Sequence, residues 1–293
     1  SLMMDLVVRA PRLPAVGESL ISHSFKTSPG GKGGNQAIAA ARLGASVTIV
    51  GQLGPDRFGE ILRTGLEADG VDTRYLTVDP EVGTGVAVPI VLDSGENTIF
   101  SIPQANLALS PAAVERAADA IRAADMLLVQ FEVGMEATLA AMRIANDVGV
   151  PVLLNPAPVA AHPEGMLELA SVIVANEIEA AALVPSAAGD HTRELAGLRR
   201  SAPKAVVTLG DHGSLIDDGA GPDPLAAFAV QAVDSVGAGD AFCAALAVSL
   251  CEGQPLAVAA RFASAAGALA VTRAGAQASL PSRREVEALL ANR

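Results

Sequence analysis

A short Gly-rich segment followed by an acidic residue is the strongest chemical signal in the sequence. The segment reads VDSVGAGDAFCAALA over residues 233–247, and Asp240 opens a stretch with helical character. Free N–H groups at a helix start bind anions such as phosphate, and small residues let the anion approach them. A carboxylate at such a place repels an anion, so its presence is unusual. Asp240 is therefore a candidate general base that takes a proton from an attacking hydroxyl, and the alternative is a helix N-cap.

A second Gly-rich segment, SPGGKGGNQAIAAARLG at residues 28–44, also precedes an Ala-rich helix. Its four glycines permit close backbone approach and positive φ angles, and the helix start offers free amides. The same composition is equally typical of an ordinary turn into a helix. Lys32 does not make this segment a P-loop, because no Ser or Thr follows it and the glycine spacing differs.

Two further polar segments follow runs that are typical of strands. In NEIE, residues 176–179, Asn176 and Glu179 share one helical face and could hold a hydrated Mg²⁺. The alternative is a capping box at a helix start. TLGDHG at 208–213 is either a turn or a nucleotide-binding loop. The histidines lack the spacing of zinc ligands, and no GxSxG elbow of a serine hydrolase is present.

These segments must be positioned by a scaffold of alternating strands and helices. Apolar, β-branched runs predict strands at 47–50, 126–131, 150–155, 171–176 and 204–210. Helical spacing predicts helices at 57–69, 110–124, 134–147, 177–184, 190–200, 238–252, 255–273 and 282–292. This alternation predicts an α/β fold, a mostly parallel sheet with helices on both faces. Ligands bind such sheets beyond the carboxyl ends of the strands.

Residues 5–28 and 83–103 break the alternation, because polar and apolar residues alternate there as in half-exposed strands. DSGEN at 93–97 is typical of a hairpin turn. We expect antiparallel strands outside the main sheet, which cover the site as a lid. No linker or internal repeat divides the chain, so residues 1–293 are predicted to form a single domain.

Composition excludes several classes of protein. The chain is 51% hydrophobic and only 18% charged, which excludes a disordered chain. No uninterrupted apolar run reaches about 18 residues, so no membrane span is expected. The net charge of −12 argues against nucleic acids and anionic membranes as partners. Cys243 and Cys251 lie about 12 Å apart along one predicted helix, too far for a disulfide, and no secretory signal is visible, so we expect a reducing cytoplasm.

In their order along the chain, these motifs resemble the ribokinase branch of the PfkB carbohydrate kinase family. GGKGGNQA (30–37) and DSVGAGDAF (234–242) are similar to the two signatures of that family. Further similar segments are GPDRFGE (54–60), NPAP (155–158), NEIE, TLGDHG and VTRAGAQAS (271–279). The resemblance runs from about Asp5 to the C-terminus.

The resemblance implies ATP-dependent phosphorylation of the 5-hydroxyl of D-ribose, on a Rossmann-like α/β fold with a β-sheet lid that often joins two subunits into a homodimer. It implies that Asp240 is the general base. The residues implied in the anion hole are Gly237, Ala238 and Gly239. Those implied in the sugar pocket are Asp5, Gly31, Lys32, Asn35, Glu132 and Asp240.

The resemblance also assigns the nucleotide and cations. Implied ATP contacts are Asn176, Thr208, Gly210, Gly213, Gly239 and Ser264. Asn176 and Glu179 are implied to organise the waters of Mg²⁺. An activating K⁺ is implied at Asp234, Val236, Ala270, Arg273, Gly275 and Ser279, several of them through backbone carbonyls.

The start of the chain departs from the family. Its members usually begin with a hydrophobic strand that leads into an Asn-x-Asp motif, whereas here Met3 stands at the Asn position and only Asp5 matches. Ser1 and Leu2 are typical of a cloning remnant. The resulting hypothesis is a truncated start: an internal parallel strand is absent, its neighbours have unpaired edges, and sugar affinity is reduced.

Two other functions stay open. One is a related kinase for another pentose, deoxyribose or a nucleoside; with a single Tyr, seven Phe and no Trp, the chain has few aromatic rings to stack on a base, which favours a sugar. The other is a catalytically weak sugar-binding or regulatory protein on the same scaffold. The presence of Asp240 and of the GAG stretch argues against it.

Overall fold

The computed structural model describes residues 1–94 and 96–292. Its strands are β1 Met3–Ala10, β2 Ser24–Gly30, β3 Thr48–Leu53, β4 Asp72–Val78, β5 Gly85–Leu92, β6 Asn97–Ile102, β7 Leu127–Gln130, β8 Val152–Asn155, β9 Val172–Asn176, β10 Lys204–Thr208, β11 Ser214–Asp217 and β12 Asp223–Leu225. Its helices are α1 Lys32–Arg42, α2 Arg57–Ala68, α3 Ala105–Ala108, α4 Pro111–Glu115, α5 Ala118–Arg122, α6 Met135–Asp147, α7 Glu177–Leu183, α8 His191–Arg199, α9 Ala238–Cys251, α10 Leu256–Ala270, α11 Ala276–Ser279 and α12 Arg283–Ala291.

A six-stranded sheet in the order β12-β11-β10-β9-β8-β7 forms the centre of the fold. Strands β7 to β10 run parallel, and β11 and β12 join at one edge in antiparallel pairs. Strand β8 is buried along its whole length, as expected for a strand covered on both faces. One apolar cluster packs α1, α9 and α10 on the sheet, and a second packs α4 to α8. The predicted α/β class is confirmed.

The lid is a separate four-stranded sheet in the order β2-β1-β5-β6. Its strands overlap the predicted ranges 5–28 and 83–103, but the first strand begins at Met3, the second ends at Gly30, and residues 11–23 between them are not strand. The expected antiparallel pairing joins β1 to β2, whereas β1 and β5 pair in parallel. Strands β5 and β6 are antiparallel neighbours. In the turn predicted at 93–97, Gly95 lies outside the described residues.

The first two residues are buried. Leu2 is 1% exposed and belongs to the apolar cluster of α1. Its backbone N–H and C=O both bond to the side-chain amide of Asn106, each at 2.8 Å. Asn106 also donates to the carbonyl of Pro103 at 2.9 Å. One buried amide therefore joins the start of β1 to the end of the β5–β6 hairpin. Among the described residues, β3 pairs only with β4, and β7 only with β8.

One predicted helix is divided in the structure, and three strands were not predicted. The helix expected at 110–124 is split into α4 and α5. Strands β4, β11 and β12 were not expected, although Thr73 and Leu76 of β4 are buried. Within residues 1–94 and 96–292, none of the helices combines the length and the apolar character that a membrane crossing requires.

Candidate active site

The Gly-rich loop between β2 and α1 packs directly against β1. Gly31 has φ +86°, and a methyl group added to it would lie 2.6 Å from the backbone nitrogen of Met3. A methyl group on Gly30 would lie 2.5 Å from a carboxylate oxygen of Asp5. Glycine is therefore required at position 31 both for its backbone angle and for space. This packing places the carboxylate of Asp5 beside the start of α1.

The carboxylate of Asp240 is buried between α9 and α1. Asn35 donates its side-chain amide to Oδ2 of Asp240 at 2.8 Å, and Gln36 donates to Oδ1 at 3.1 Å. Gly237 occupies the N-cap position of α9, and no side chain caps that helix. The alternative interpretation of Asp240 as an N-cap was therefore wrong. Asp240 is 7% exposed. Its carboxylate contacts α1, the helix that directly follows the Gly-rich loop.

A single lysine lies among the buried carboxylates. Burial is the largest single influence on the pKa of Lys32 and lowers it, but the negative charges of Asp240, Glu132 and Glu179 outweigh burial, so the net pKa is raised. Burial raises the pKa of Asp240, and Lys32 and the amide donors only partly oppose this rise. The site therefore holds a permanent positive charge close to a carboxylate that has a raised affinity for protons.

Glu132 follows β7 and binds the backbone of the first residue of α1. Its Oε2 atom accepts the backbone N–H of Lys32 at 3.0 Å and also the hydroxyl of Ser1. Hydrogen bonds, close packing and mutual charge effects thus bring together all the residues that the sequence placed in the sugar pocket: Asp5, Gly31, Lys32, Asn35, Glu132 and Asp240.

The pKa of Asp5 is raised to about 6, first by burial and then by the charges of Glu132 and Asp240. The unfolded chain, with a pKa near 3.8, holds this proton less tightly. The contribution of Asp5 to stability is therefore fully present below pH 3.8 and is lost as the pH rises through about 6.

Replacing Asp5 with Asn should therefore stabilise the protein at pH 7.5, by about 2–3 kcal/mol, and change its stability little at pH 4. Urea unfolding at the two pH values measures this difference. Asp119→Asn is the control, since the Asp119 side chain is 98% exposed and its substitution should have a small effect at both pH values. An Asp5→Asn effect that is the same at pH 4 and pH 7.5 would contradict the assigned titration.

The N-terminus of α9 is open towards solvent at Gly239. Gly237 adopts a left-handed conformation with φ +82°, which turns the chain into the helix. The amide of Ala238 makes a long bond of 3.3 Å to the carbonyl of Ser235. A methyl group added to Gly239 would meet nothing within 4 Å. The first turn of α9 thus presents helix-end amides beside free space and one turn or less from Asp240.

Asn176 and Glu179 form a reciprocal capping box at the start of α7. Asn176 accepts the Glu179 backbone N–H at 2.8 Å, and Glu179 accepts that of Asn176 at 2.9 Å through Oε2. The capping alternative is therefore confirmed. Burial raises the pKa of Glu179, with the backbone of Asn176 and the charge of Lys32 opposing it. The Glu179 carboxylate lies near Lys32 and Asp240, and its Oε1 atom takes no part in the cap. Such a carboxylate fits a Mg²⁺ ion that keeps most of its waters.

The predicted nucleotide loop lies at the same edge of the sheet as this capping box. Thr208 of β10 lies opposite Asn176 of β9 in the parallel register. Gly210 and Gly213 follow with positive φ angles, and a methyl group on Gly213 would lie 2.0 Å from the carbonyl oxygen of Leu225. Ser264 lies on α10, which packs against β11 and β12.

The residues assigned to K⁺ meet beside the start of α9. Asp234 accepts the backbone N–H of Val236 at 3.1 Å and that of Gly275 at 2.9 Å, so it joins the two loops. Ala270 ends α10, and its carbonyl accepts the N–H of Arg273 at 3.2 Å. The hydroxyl of the fully buried Ser279 is bonded to the carbonyl of Ala276 at 2.8 Å. Carboxylate and carbonyl oxygens of this kind suit a hard cation.

Sequence reasoning missed several buried polar residues around the site. Asn106 had no recognisable signal, because it lies in the four-residue helix α3, far along the chain from the Leu2 residue that it binds. Gln36 and Asn155 lie inside GGKGGNQA and NPAP, so their motifs were noticed but their side chains were not assigned. Gln130 ends β7, and its position before the carboxyl end of a parallel strand was the available signal.

Comparison with known proteins places this site in a family. The model of the pfkB family carbohydrate kinases matches residues 1–283. A ribokinase of Bacillus subtilis (strain 168) is 38% identical over 290 residues, which cover 99% of this chain and 97% of that protein. A deoxyribokinase of Salmonella typhi is 34% identical over 285 residues, covering 96% and 93%.

The same holds for solved structures. The structure of Arabidopsis thaliana ribokinase complexed with ribose and ATP aligns with a TM-score of 0.93 at 31% identity, covering 99% of this chain and 96% of that one. The α/β fold with its separate lid sheet is thus the ribokinase-like fold. The family match spans nearly the whole chain, and the relatives match over nearly their full length. The chain therefore belongs to the pfkB family of carbohydrate kinases and is a kinase of that kind.

Proposed function

We propose that this kinase transfers the γ-phosphoryl group of ATP to the 5-hydroxyl of D-ribose, giving ribose 5-phosphate and ADP. The observation that carries the proposal is the position of Asp240, whose carboxylate lies between the Gly-rich loop's helix and the open first turn of α9. The names of the relatives, ribokinase in Bacillus subtilis and a ribokinase complexed with ribose and ATP in Arabidopsis thaliana, support ribose and ATP as the substrates.

In this reaction Asp240 takes the proton of the sugar hydroxyl while the hydroxyl oxygen attacks the γ-phosphorus of ATP. The bond between the γ-phosphorus and the bridging oxygen breaks, and ADP leaves with that oxygen. Asp5 and the Oδ1 atom of Asn35, which is buried and has no hydrogen-bond partner among the described residues, orient the sugar. The amides of Gly237, Ala238 and Gly239 stabilise the charge on the transferred group. Since phosphoryl transfer depends on positioning and charge stabilisation, a protein without a cationic surface can perform it with these groups and bound cations.

Two cations complete the proposal. Asn176 and Glu179 would hold Mg²⁺ through its waters, and the metal would neutralise phosphate charge when bound. The loops joined by Asp234 would hold an activating K⁺ next to the first turn of α9. Thr208, Gly210, Gly213 and Ser264 would contact the nucleotide.

We further propose that two copies of the chain pair through their lids. By the strand register, Phe25, Phe100 and Ile102 lie on one face of the lid sheet, and Asp5 lies on the other. The three apolar side chains are between 44% and 61% exposed, which is unusual for so many large apolar groups on one face.

Cys243 and Cys251 are both free thiols, which supports a reducing cytoplasm as the setting.

A coupled assay of ADP release with a panel of sugars tests the proposed substrate. We expect kcat/KM for D-ribose to exceed that for D-fructose and adenosine by at least 100-fold, and we expect K⁺ to raise kcat, because a cation beside α9 would order the amides that hold the phosphoryl group. The matched assay without sugar measures ATP hydrolysis by water, which is subtracted from the ADP released with each sugar. A higher kcat/KM with adenosine would contradict the proposal.

A second substrate is favoured by one observation, the 34% identity to a deoxyribokinase. 2-Deoxyribose differs from ribose only at the 2-position, so both sugars would present the same 5-hydroxyl to Asp240. Including 2-deoxyribose in the panel separates the two. A kcat/KM for 2-deoxyribose above that for ribose would assign the chain to deoxyribose, with the same roles for its residues.

A further inference from the structure

Three buried amide side chains form a hydrogen-bonded group that contacts the carboxylate of Asp240. Gln36 belongs to α1, Gln130 ends β7 and Asn155 ends β8. Gln36 is 2% exposed, and the other two are 7% exposed each. Buried side-chain amides are costly unless their hydrogen bonds are made, so their grouping around one carboxylate needs a reason.

Hydrogen bonds fix which end of each amide is the donor and which is the acceptor. Asn155 donates its NH₂ group to the carbonyl of Val174 at 2.9 Å, which turns its oxygen towards Gln36. Gln130 donates to the oxygen of Gln36 at 2.6 Å. The NH₂ group of Gln36 then donates to Oδ1 of Asp240 at 3.1 Å and makes a long contact of 3.5 Å to the oxygen of Asn155.

The chain of bonds fixes which end of Gln36 faces Asp240. If the Gln36 amide were reversed, its oxygen would face the Asp240 carboxylate and the oxygen of Asn155, and its NH₂ group would face that of Gln130. Three bonds would be lost and like charges would meet. Asn155 cannot reverse to compensate, because the backbone carbonyl of Val174 accepts only a donor. The polarity is thus set by the sheet.

Gln36 and Asn35 are neighbours in the chain but have different surroundings. Asn35 also donates to Asp240, at 2.8 Å, yet its own oxygen is left without a partner among the described residues. Both ends of the Gln36 amide are occupied by protein groups. Asn35 therefore has an atom available for a substrate, whereas Gln36 acts only on Asp240.

We propose, on the basis of the proposed function, that Gln36 is a positioning residue, held by Gln130 and Asn155, that aims the Asp240 carboxylate at the sugar hydroxyl. A carboxylate has lone pairs on both oxygens, so one N–H bond to each leaves room for the incoming hydroxyl. The donated bond also favours the ionised form, which a general base needs. Among the described residues, the other titratable groups whose charges interact with Asp240 are the Ser1 amine, Asp5, Lys32, Glu132, Glu179 and Cys243.

The test is the variant Gln36→Met, which keeps the length of the side chain and removes its donor. We expect the pH at which kcat falls on the acid side to rise by about one unit, kcat at pH 7 to drop roughly 10-fold, and KM for ribose to change less than about threefold. Gln52→Met is the matched control: Gln52 also donates to a carboxylate, that of Asp79, at 2.8 Å, but lies outside this group. In Gln52→Met, the acid limb of the pH–rate profile should not shift.

A measurement without substrate separates this inference from the proposed function. In protein labelled with ¹³C at the aspartate carboxyl carbons, the resonance lost in Asp240→Asn identifies Asp240, and its titration can be followed in Gln36→Met. A shift of this titration to higher pH supports the inference even if the chain does not phosphorylate ribose. An unchanged titration and an unchanged acid limb overturn it. If Gln36→Met does not fold, Gln130→Met should give a smaller shift in the same direction, and no shift there also overturns it.

Discussion

Replacing Asp240 with Asn is expected to lower kcat by roughly 10²–10⁴-fold while KM for ribose and ATP changes little. The variant keeps the shape of the side chain and one of its two acceptor atoms, so binding is preserved. It loses the basic oxygen that removes the proton of the attacking hydroxyl. Because Asn cannot be ionised, the acid limb of the pH–rate profile should also disappear.

The assay is ADP release at saturating ribose and ATP, with unfolding measured in parallel. Glu194→Gln is the control for a change to a buried carboxylate: Glu194 is fully buried, binds His191 at 2.8 Å on α8, and has no role in the proposed reaction. It should affect stability more than kcat. A loss of less than about fivefold in Asp240→Asn would remove Asp240 from the role of base.

Replacing Gly239 with Ala is expected to abolish most activity without harming the fold. Apart from its chain neighbours and its own helix backbone, the added methyl group meets no described atom within 4 Å, so it enters the space where the helix-end amides would receive the phosphoryl group. Holding that group away from one donor costs roughly 10²–10³-fold in kcat. In a helix, Ala is also more favourable than Gly, so stability should rise by up to about 1 kcal/mol.

Gly65→Ala is the matched control for this prediction. Gly65 lies within α2, and a methyl group there also meets nothing within 4 Å. It should stabilise the protein by about 0.5–1 kcal/mol and leave kcat unchanged. Thermal unfolding and the ADP assay on both variants decide the matter. Equal activity in Gly239→Ala and the wild type would show that the phosphoryl group does not approach α9 at this point.

The sequence was informative about the central strands because their environment is uniform. Runs such as VLLN and KAVVT are apolar on both sides, as a doubly covered parallel sheet requires. The split between α4 and α5 had no local signal, since residues 112–124 contain neither Gly nor Pro and keep a helical spacing. Strand β11 and the edge strand β12 are four and three residues long, too short for a pattern. The assignment of one domain stays a prediction.

The site was predictable where a motif is continuous in sequence. The Gly-rich loop, Asp240 and the Asn176–Glu179 pair could be identified because glycines and acidic residues at helix starts have direct physical uses. Gln130 and Asn155 could not be assigned, because their contact with Gln36 depends on which strands are neighbours in the sheet. A single sequence predicts that strands exist more easily than their order.

The side-chain amide of Asn106 binds both the backbone N–H and the backbone C=O of Leu2, as a neighbouring β-strand does in a sheet. Deuterium uptake at the Leu2 amide should therefore be slow and should require the hairpin base to detach from β1. Amide exchange at Leu2, followed by NMR in protein labelled with ¹⁵N-leucine, would measure how often the hairpin base detaches from β1, and a bound sugar should slow this exchange.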